Sequence, residues 1–248
     1  MKRFLGSLAL AALISGPAIA ADIPTPTPYK ATPHPVFAWT GCYVGVQGGY
    51  GMGRSKFHNT GIFNGKAIPI ADVVDDTSWF HVRGGLGGGE IGCNYQTGNW
   101  VVGVEVDGSW TALSGRANLI PPFNEDFVAE TKERWLTMAR GRVGYAYGQW
   151  LWYLTGGVAR ADIDVQLHNG LFPVNTTGVQ RVNRVSWVAG FGTEYAITYG
   201  WSVKLEALYM DFSTFRAFQV VNPVVCGCDS QDIKLNQWVA RLGLNYKW

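Results

Sequence analysis

Nine charged residues lie in otherwise apolar segments and are the strongest candidates for chemistry in this sequence. Five are carboxylates and four are cations: Glu90, Glu105, Asp107, Glu194 and Glu206, with Arg140, Arg142, Lys204 and Arg241. Paired carboxylates can act as general acid and base, and a charged lining can make a pore ion-selective. Opposite charges held away from water can instead neutralise each other in a salt-bridge network. Which of these three roles is possible depends on the secondary-structure elements that position the side chains.

Cysteines and histidines give weaker signals. Cys226 and Cys228 flank a single glycine, so a disulfide between them would close a strained, reducible ring. That loop disulfide stays open as a candidate, as do other pairings of the four cysteines. A metal site needs thiolates and imidazoles close together, and the histidines are scattered over different segments: His34, His58, His81 and His168. We predict no catalytic residue, no metal and no cofactor.

Tryptophan spacing indicates the elements. Eight tryptophans fall into two interleaved series about fifty residues apart, as expected for a hairpin repeated four times: Trp39, Trp100, Trp150, Trp201, and Trp79, Trp135, Trp187, Trp238. Indoles favour membrane interfaces. Trp100 and Trp110 are ten residues apart, a step that would rise roughly 25 Å in a tilted strand. We predict nine interface anchors: Trp79, Trp100, Trp110, Trp135, Trp150, Trp187, Trp201, Trp238 and Trp248.

Eight strands follow from this spacing. Upward strands are predicted at about 39–52, 100–112, 150–161 and 201–210, and downward strands at about 79–95, 132–145, 185–196 and 235–248. Short turns at 96–99, 146–149 and 197–200 alternate with long loops at 53–78, 113–131, 162–184 and 211–234. This alternation is typical of outer-membrane barrels. The predicted fold is all-β, an eight-stranded antiparallel up-and-down transmembrane β-barrel of the outer-membrane type.

The period of two assigns the faces of the strands. In the third strand Val102, Val104 and Val106 share one face, whereas Glu105 and Asp107 share the other. A soluble lipocalin would place its apolar face inside, but here the ionisable residues converge on the lumen. Eight strands enclose a space that side chains about fill, so we favour a salt-bridge plug over a narrow pore or a catalytic site.

The same parity places Cys42 and Cys93 on the lipid face, near the short-turn rim of adjacent antiparallel strands. A directly opposed non-hydrogen-bonded pair has Cα atoms about 4.5 Å apart, within reach of a disulfide. The periplasm is oxidising and favours such a bond. We therefore predict a Cys42–Cys93 disulfide, with two small apolar rim residues as the alternative.

The N-terminal residues of the chain predict export. Lys2 and Arg3, the apolar run 4–14 and a small-residue cleavage site indicate a signal peptide at 1–20. A proline-rich periplasmic lead is predicted at 21–37, followed by the barrel at 38–248. No run of eighteen apolar residues occurs, so any membrane span must be β. Cleavage would leave 18 basic and 18 acidic residues, and the absence of a basic excess argues against nucleic acid.

Four segments resemble one family: Trp39–Gly45, Gly87–Tyr95, Arg140–Tyr145 and Val203–Glu206. They are similar to the small porin-like, or immunogenic, outer-membrane β-barrel proteins of α-proteobacteria, which are related to the transmembrane domain of outer membrane protein A. The resemblance covers about 39–248. It implies an outer-membrane barrel with a role in envelope structure and surface contact, and it carries no agreed set of catalytic residues. Some relatives are described as porins and others as haem binders, so both roles stay open.

We therefore expect a non-enzymatic, monomeric protein of the Gram-negative cell outer membrane. Its expected role is to stabilise the envelope and to present surface loops, as a surface antigen does. The expected partners are outer-membrane lipid and lipopolysaccharide, the barrel-assembly machinery through the C-terminal strand, and host or ligand molecules at the loops. A small-pore porin for passive diffusion, or a surface barrel that binds haem or another small ligand, is the alternative.

Overall fold

Antiparallel strands dominate the part of the chain that the structure describes. The computed structural model describes residues 37–59, 62–63, 66–67, 75, 77–120, 127–169, 178–198, 200–217 and 231–248. Their strands are β1 (Gly41–Asn59), β2 (Ile62–Phe63), β3 (Lys66–Ala67), β4 (Phe80–Thr97), β5 (Trp100–Thr111), β6 (Ser114–Asn118), β7 (Phe127–Tyr147), β8 (Trp150–Asn169), β9 (Gly178–Thr198), β10 (Trp201–Ala217) and β11 (Gln231–Lys247). Within these ranges no helix has the length and apolar character to cross a membrane.

The main sheet closes on itself. Strands of this sheet pair antiparallel with the strands next to them along the chain, except that β5 and β6 do not pair with each other. β1 pairs with both β4 and β11, which closes the ring. β5 and β6 together occupy one place in the ring, because both pair with β4 and with β7. Counting them as one interrupted strand gives eight positions. The predicted eight-stranded antiparallel barrel is confirmed.

Three tight turns define one end of the barrel, which we call the turn end; the opposite end is the loop end. Each turn contains a glycine with positive φ: Gly98 at 58°, Gly148 at 60° and Gly200 at 82°. Two-residue hairpin turns need this left-handed backbone, which glycine adopts without steric cost. Turn chemistry therefore fixes the register of three hairpins.

The strands are longer than predicted at the loop end. β9 begins at Gly178 rather than at 185, and β8 continues to Asn169 rather than ending at 161. The predicted boundaries followed the apolar outward residues, but the hydrogen-bonded ladder continues beyond them with polar outward residues such as Arg181. β2 and β3 form a short hairpin inside the predicted long loop 53–78. The predicted bounds of the loops were wrong for this reason.

Buried and exposed residues alternate along the strands as the predicted faces require. In β5, Val101, Glu105 and Asp107 are buried, whereas Val102 and Val104 are exposed by 47% and 64%. The outer surface is thus apolar and the charged groups point inward. A sheet of this kind has its polar face inside the barrel and its apolar face toward lipid.

Candidate functional site

The structure places all nine predicted charged residues inside the barrel, in what we call the charged layer. Six strands contribute to it, with inward positions on β4, β5, β7, β9, β10 and β11. Their side chains are exposed by at most 4%. Because burial of an unpaired charge is costly, the partners of each group decide what the layer can do.

Arg140 binds three carboxylates. Its Nη1 donates to Oε1 of Glu206 at 2.7 Å, and its Nη2 donates to Oδ1 of Asp107 at 3.0 Å. Nη2 also forms an ion pair with Glu105. These acceptors come from β5 and β10, so one guanidinium links strands from different parts of the ring.

Lys204 and Arg241 neutralise the same carboxylates from the other side. Nζ of Lys204 lies 3.1 Å from Oε2 of Glu105 and also pairs with Glu90. Nη1 of Arg241 lies 3.0 Å from Oδ2 of Asp107, and its Nη2 pairs with Glu206. The cations therefore bridge the carboxylates in a continuous network rather than in isolated pairs.

Arg142 is held between two aromatic rings. Its guanidinium carbon lies 4.8 Å from the ring centroid of Tyr43 and 5.3 Å from that of Tyr153. Nε donates to Oδ1 of Asn94 at 2.8 Å, and Nη1 lies 3.2 Å from Oε2 of Glu194. A guanidinium uses its faces for π contacts and its edge for hydrogen bonds, which this arrangement exploits.

Two tyrosines of this network were missed as site residues. The Tyr43 hydroxyl donates to Glu105, and the Tyr153 hydroxyl donates to Oε1 of Glu206 at 3.3 Å. Inward parity on β1 and β8 was the signal that could have found them. The carboxylates of the charged layer accept from neighbouring cations or hydroxyls and are shielded from water, so they are poorly placed to exchange protons with a substrate.

An apolar cap lies below the charged layer, at the turn end. Trp39 is 2% exposed and packs in a cluster with Val101, Leu151, Tyr153 and two alanines. Its backbone N–H donates to Oε1 of Gln96 at 2.7 Å. Trp39 was predicted to begin the lower tryptophan series, but the chain enters the barrel mouth before β1 begins. The indole is therefore inside, not at the lipid surface.

An apolar core fills the barrel above the charged layer, toward the loop end. It includes Phe57, Leu136, Leu208, Phe212 and Ile233, each at most 3% exposed. The ionisable residues were predicted to converge on the lumen, but this half of the lumen is mainly apolar. The strands carry apolar residues on both faces in this half of the barrel. Alternation alone therefore did not identify which apolar residues face inward.

Glu133 is a buried carboxylate within this upper region. It is 1% exposed, and Oε2 accepts from Nε2 of Gln237 at 3.0 Å. Its other side-chain oxygen has no hydrogen-bond partner, and no ion pair joins it to a cation within the described part of the chain. The Glu133 carboxyl is not part of the network of the charged layer.

The nine tryptophans proposed as anchors are all on the outer surface, exposed by 40% to 65%. They form two rings of positions. At the loop end Trp110 lies 4.6 Å from Trp135 between ring centroids, and at the turn end Trp100 lies 5.6 Å from Tyr145. We call these rings the upper and lower aromatic belts. The remaining members are Trp79, Trp187 and Trp238 above, and Trp150, Trp201 and Trp248 below.

The predicted Cys42–Cys93 disulfide is confirmed. The two residues are directly opposed in the β1–β4 register, and their Cα atoms lie 4.0 Å apart. Cys226 and Cys228 lie outside the described residues, as does His34. Across the residues that the structure describes, no group of three histidine, cysteine or acidic side chains is placed to hold a metal.

Asp75 joins the loop that follows β3 to the outward face of β1. Its carboxylate pairs with Lys56, and its Oδ1 lies 3.0 Å from Nδ1 of His58. The hydrogen bond from Lys56 holds the pKa of this exposed carboxyl below its usual value. This cluster lies beyond the upper aromatic belt.

Comparisons with known proteins agree with this architecture. A family model described as "Outer membrane protein beta-barrel domain" matches residues 7–247. The chain is 31% identical over 243 residues to the 31 kDa outer-membrane immunogenic protein of Brucella melitensis, with 96% of this chain and 97% of that protein covered. It is 30% identical over 257 residues to the 25 kDa outer-membrane immunogenic protein of Brucella canis, with 99% and 100% covered.

A solved structure is similar in fold. The crystal structure of the outer membrane protein OprG from Pseudomonas aeruginosa has a TM-score of 0.53 at 13% identity, covering 84% of this chain and 96% of that one. The similarity supports the barrel architecture only. The family model and the sequence relatives confirm the resemblance that the strand motifs indicated.

Proposed function

The chain belongs to the outer membrane protein β-barrel domain family and lies in the outer membrane of a Gram-negative bacterium, and from this premise we propose that it is a closed, non-enzymatic barrel. Its role is to stabilise the envelope and to present surface loops. The single observation that carries this proposal is the filled interior. Cap, charged layer and apolar core follow one another along the barrel axis.

The filled interior argues against passive diffusion of solutes. An ion on its way through would have to displace Trp39, break ion pairs of Arg140 and Arg241, and then cross the apolar core. Every charge in the layer has at least one oppositely charged partner, so none is free to exchange with a passing solute. An interior of this kind rigidifies a membrane barrel.

The outer surface and the loop end support the role in the envelope. The short turns are assigned to the periplasm, and the long loops to the cell surface. β9 begins nine residues before Trp187, so the sheet projects about 20 Å beyond the upper belt when strand tilt is included. The loops that connect the strands follow from this projecting rim, which would hold them away from the lipid headgroups.

Further parts of the proposal concern the ends and the assembly of the chain. We assign a signal peptide to 1–20 and a periplasmic lead to 21–37, which leaves the barrel as the mature domain. The protein acts as a monomer, and the C-terminal strand β11 is the element offered to the barrel-assembly machinery. β11 ends beside β1, where Trp248 N–H donates to the Cys42 carbonyl oxygen at 3.2 Å.

Planar-bilayer conductance of the refolded chain 21–248 tests the closed barrel. We expect no steady channels from the natural sequence. The comparison variants are Glu105→Ala and Arg140→Ala in the charged layer, with Arg160→Ala as the matched control because Arg160 is outward-facing and exposed. Steady channels whose conductance changes with Arg140→Ala and not with Arg160→Ala would make the protein a small porin and overturn the proposal.

A haem titration of the same preparation tests the ligand-binding alternative. The proposal predicts no shift in the haem absorbance band when folded protein is added. A saturable shift would instead assign the loops or rim a haem-binding role.

A further inference from the structure

A cleft opens on the outer surface at the height of the upper aromatic belt, across β10, β11, β1 and β4. Its volume is about 470 Å³, and we call it the outer cleft. Its apolar walls include Met52, Trp79, Tyr209 and Trp238. Met52 is 60% exposed and Trp238 is 51% exposed, so the cleft is open toward the lipid. Tyr209 and Trp238 lie 5.0 Å apart between ring centroids and form one continuous wall.

Basic side chains lie beside the outer cleft and along its loop-end edge. Arg54 is directly opposite His81 on β4, and Arg83 is directly opposite Met52. Further toward the loop end, Lys234 on β11 is opposite Lys56 on β1. Directly opposed residues on one face have Cβ atoms about 5 Å apart. These side chains therefore form one basic patch, in which Arg83 is level with Met52 and the others lie further toward the loop end.

This basic patch lacks the internal neutralisation seen elsewhere on the outer surface. At similar height on β7 and β9, Arg134 and Arg181 lie 2.6 Å and 2.9 Å from the carboxylate oxygens of Asp164. Within the described residues, Arg54 and Arg83 have no such ion pair. The same holds for Lys234.

Like charges directly opposed across two strands are destabilising. Lys56 is neutralised by Asp75, but that carboxylate is also shared with His58. Among the described residues, this arrangement therefore has positive charge without a carboxylate partner, which an external anion would stabilise. Its position next to an apolar cleft favours an anion that carries a hydrocarbon chain.

We propose that the outer cleft binds one lipopolysaccharide molecule of the outer leaflet, with an acyl chain against Met52 and Trp238 and the sugar phosphates on Arg54 and Arg83. Aromatic belts mark the level of the headgroups. Arg54 is two residues beyond Met52, which places it about 5 Å further toward the cell surface on a tilted strand. Arginine binds phosphate through two parallel N–H groups. Several unmatched cations favour a lipid with two phosphates over one with a single phosphate.

This inference uses the outer-membrane location but does not depend on a closed lumen. A conducting barrel would overturn the proposed function and leave the lipid site untouched, whereas loss of the lipid site would leave the filled interior as it is. The two proposals therefore fail by different experiments.

Native mass spectrometry of the folded protein in neutral detergent tests the site. The probe is bisphosphorylated lipid A, titrated against dephosphorylated lipid A with the same acyl chains and against phosphatidylglycerol. We expect one bound lipid A, with about tenfold weaker binding of the dephosphorylated form, as expected for the loss of charge-assisted hydrogen bonds. The double variant Arg54→Gln/Arg83→Gln should weaken lipid A binding by about tenfold or more.

The control is Arg160→Gln, because this arginine is outward-facing on β8, away from the cleft. It should bind lipid A as the natural sequence does. Retained heat-dependent mobility on gels shows that each variant is folded. Three results would overturn the proposal: equal binding of dephosphorylated lipid A, equal binding of phosphatidylglycerol, or an equal loss in Arg160→Gln, which would indicate nonspecific attraction.

Discussion

Replacing Arg140 by methionine removes the cation with the most carboxylate partners in the charged layer. The substitution keeps an unbranched side chain of about the length of the arginine stem and leaves Glu105, Asp107 and Glu206 without that guanidinium. Five carboxylates and four cations give the natural layer a formal charge of −1, which becomes −2 in the variant. Loss of one partner from a buried ion pair costs about 3–5 kcal/mol.

The lower part of that range is expected, because Lys204 and Arg241 still contact the three carboxylates. A loss of about 3 kcal/mol is a large share of the 5–15 kcal/mol that stabilises a typical domain. Urea unfolding in phospholipid vesicles, followed by tryptophan fluorescence, measures it. With m of about 1–3 kcal/mol per molar, the midpoint should fall by about 1–3 M.

Two further variants separate charge from packing. Arg160→Met removes an exposed, outward arginine and should change the free energy of unfolding by less than about 0.5 kcal/mol. Arg140→Met combined with Glu206→Gln returns the layer to −1 and should recover at least about 1 kcal/mol relative to Arg140→Met. If Arg140→Met shifts the midpoint no more than Arg160→Met, the charged layer does not stabilise the barrel and the reasoning is refuted.

Three further predictions use unfolding in the same vesicles. Gly49→Ala should cost about 1–3 kcal/mol because a Cβ would overlap the Ala240 carbonyl oxygen, whereas at Gly48 the nearest atom is 3.8 Å away and alanine should be tolerated; equal effects would contradict this. Cys42→Ala/Cys93→Ala should cost about 2–4 kcal/mol, since the disulfide joins residues separated by 51 positions, and an unchanged midpoint would show that the bond does not stabilise the fold. Glu133→Gln should stabilise the barrel by about 1 kcal/mol or more, because it removes a buried charge without a cation; a loss of stability would show that the carboxylate has a partner in the folded state.

The order of strands was predictable from the sequence, and the strand ends were not. Alternation in β5 and the glycine-containing turns carry local information that any strand pairing must satisfy. The loop-end extension of β9 carries polar residues such as Arg181 on its outward face, so the apolar alternation ends before the hydrogen-bonded ladder with β8 does. The apolar core was not predictable for a different reason: Leu136 and Phe57 lie on strands far apart in sequence and join one cluster only once the ring has closed.

The sequence alone determined which residues face inward where polar and apolar residues alternate, because the side-chain period of a strand is two and eight strands leave a narrow interior. It therefore indicated the nine buried charges and the opposed cysteines. Tertiary structure alone decided which charges meet: Arg140 on β7 reaches Glu206 on β10, although these strands are not paired. It also decided that Trp39 turns into the mouth of the barrel and that Arg54 lies beside His81, with no carboxylate partner among the described residues. Parity fixes the face of a residue, but only ring closure and strand stagger fix its neighbours across the barrel.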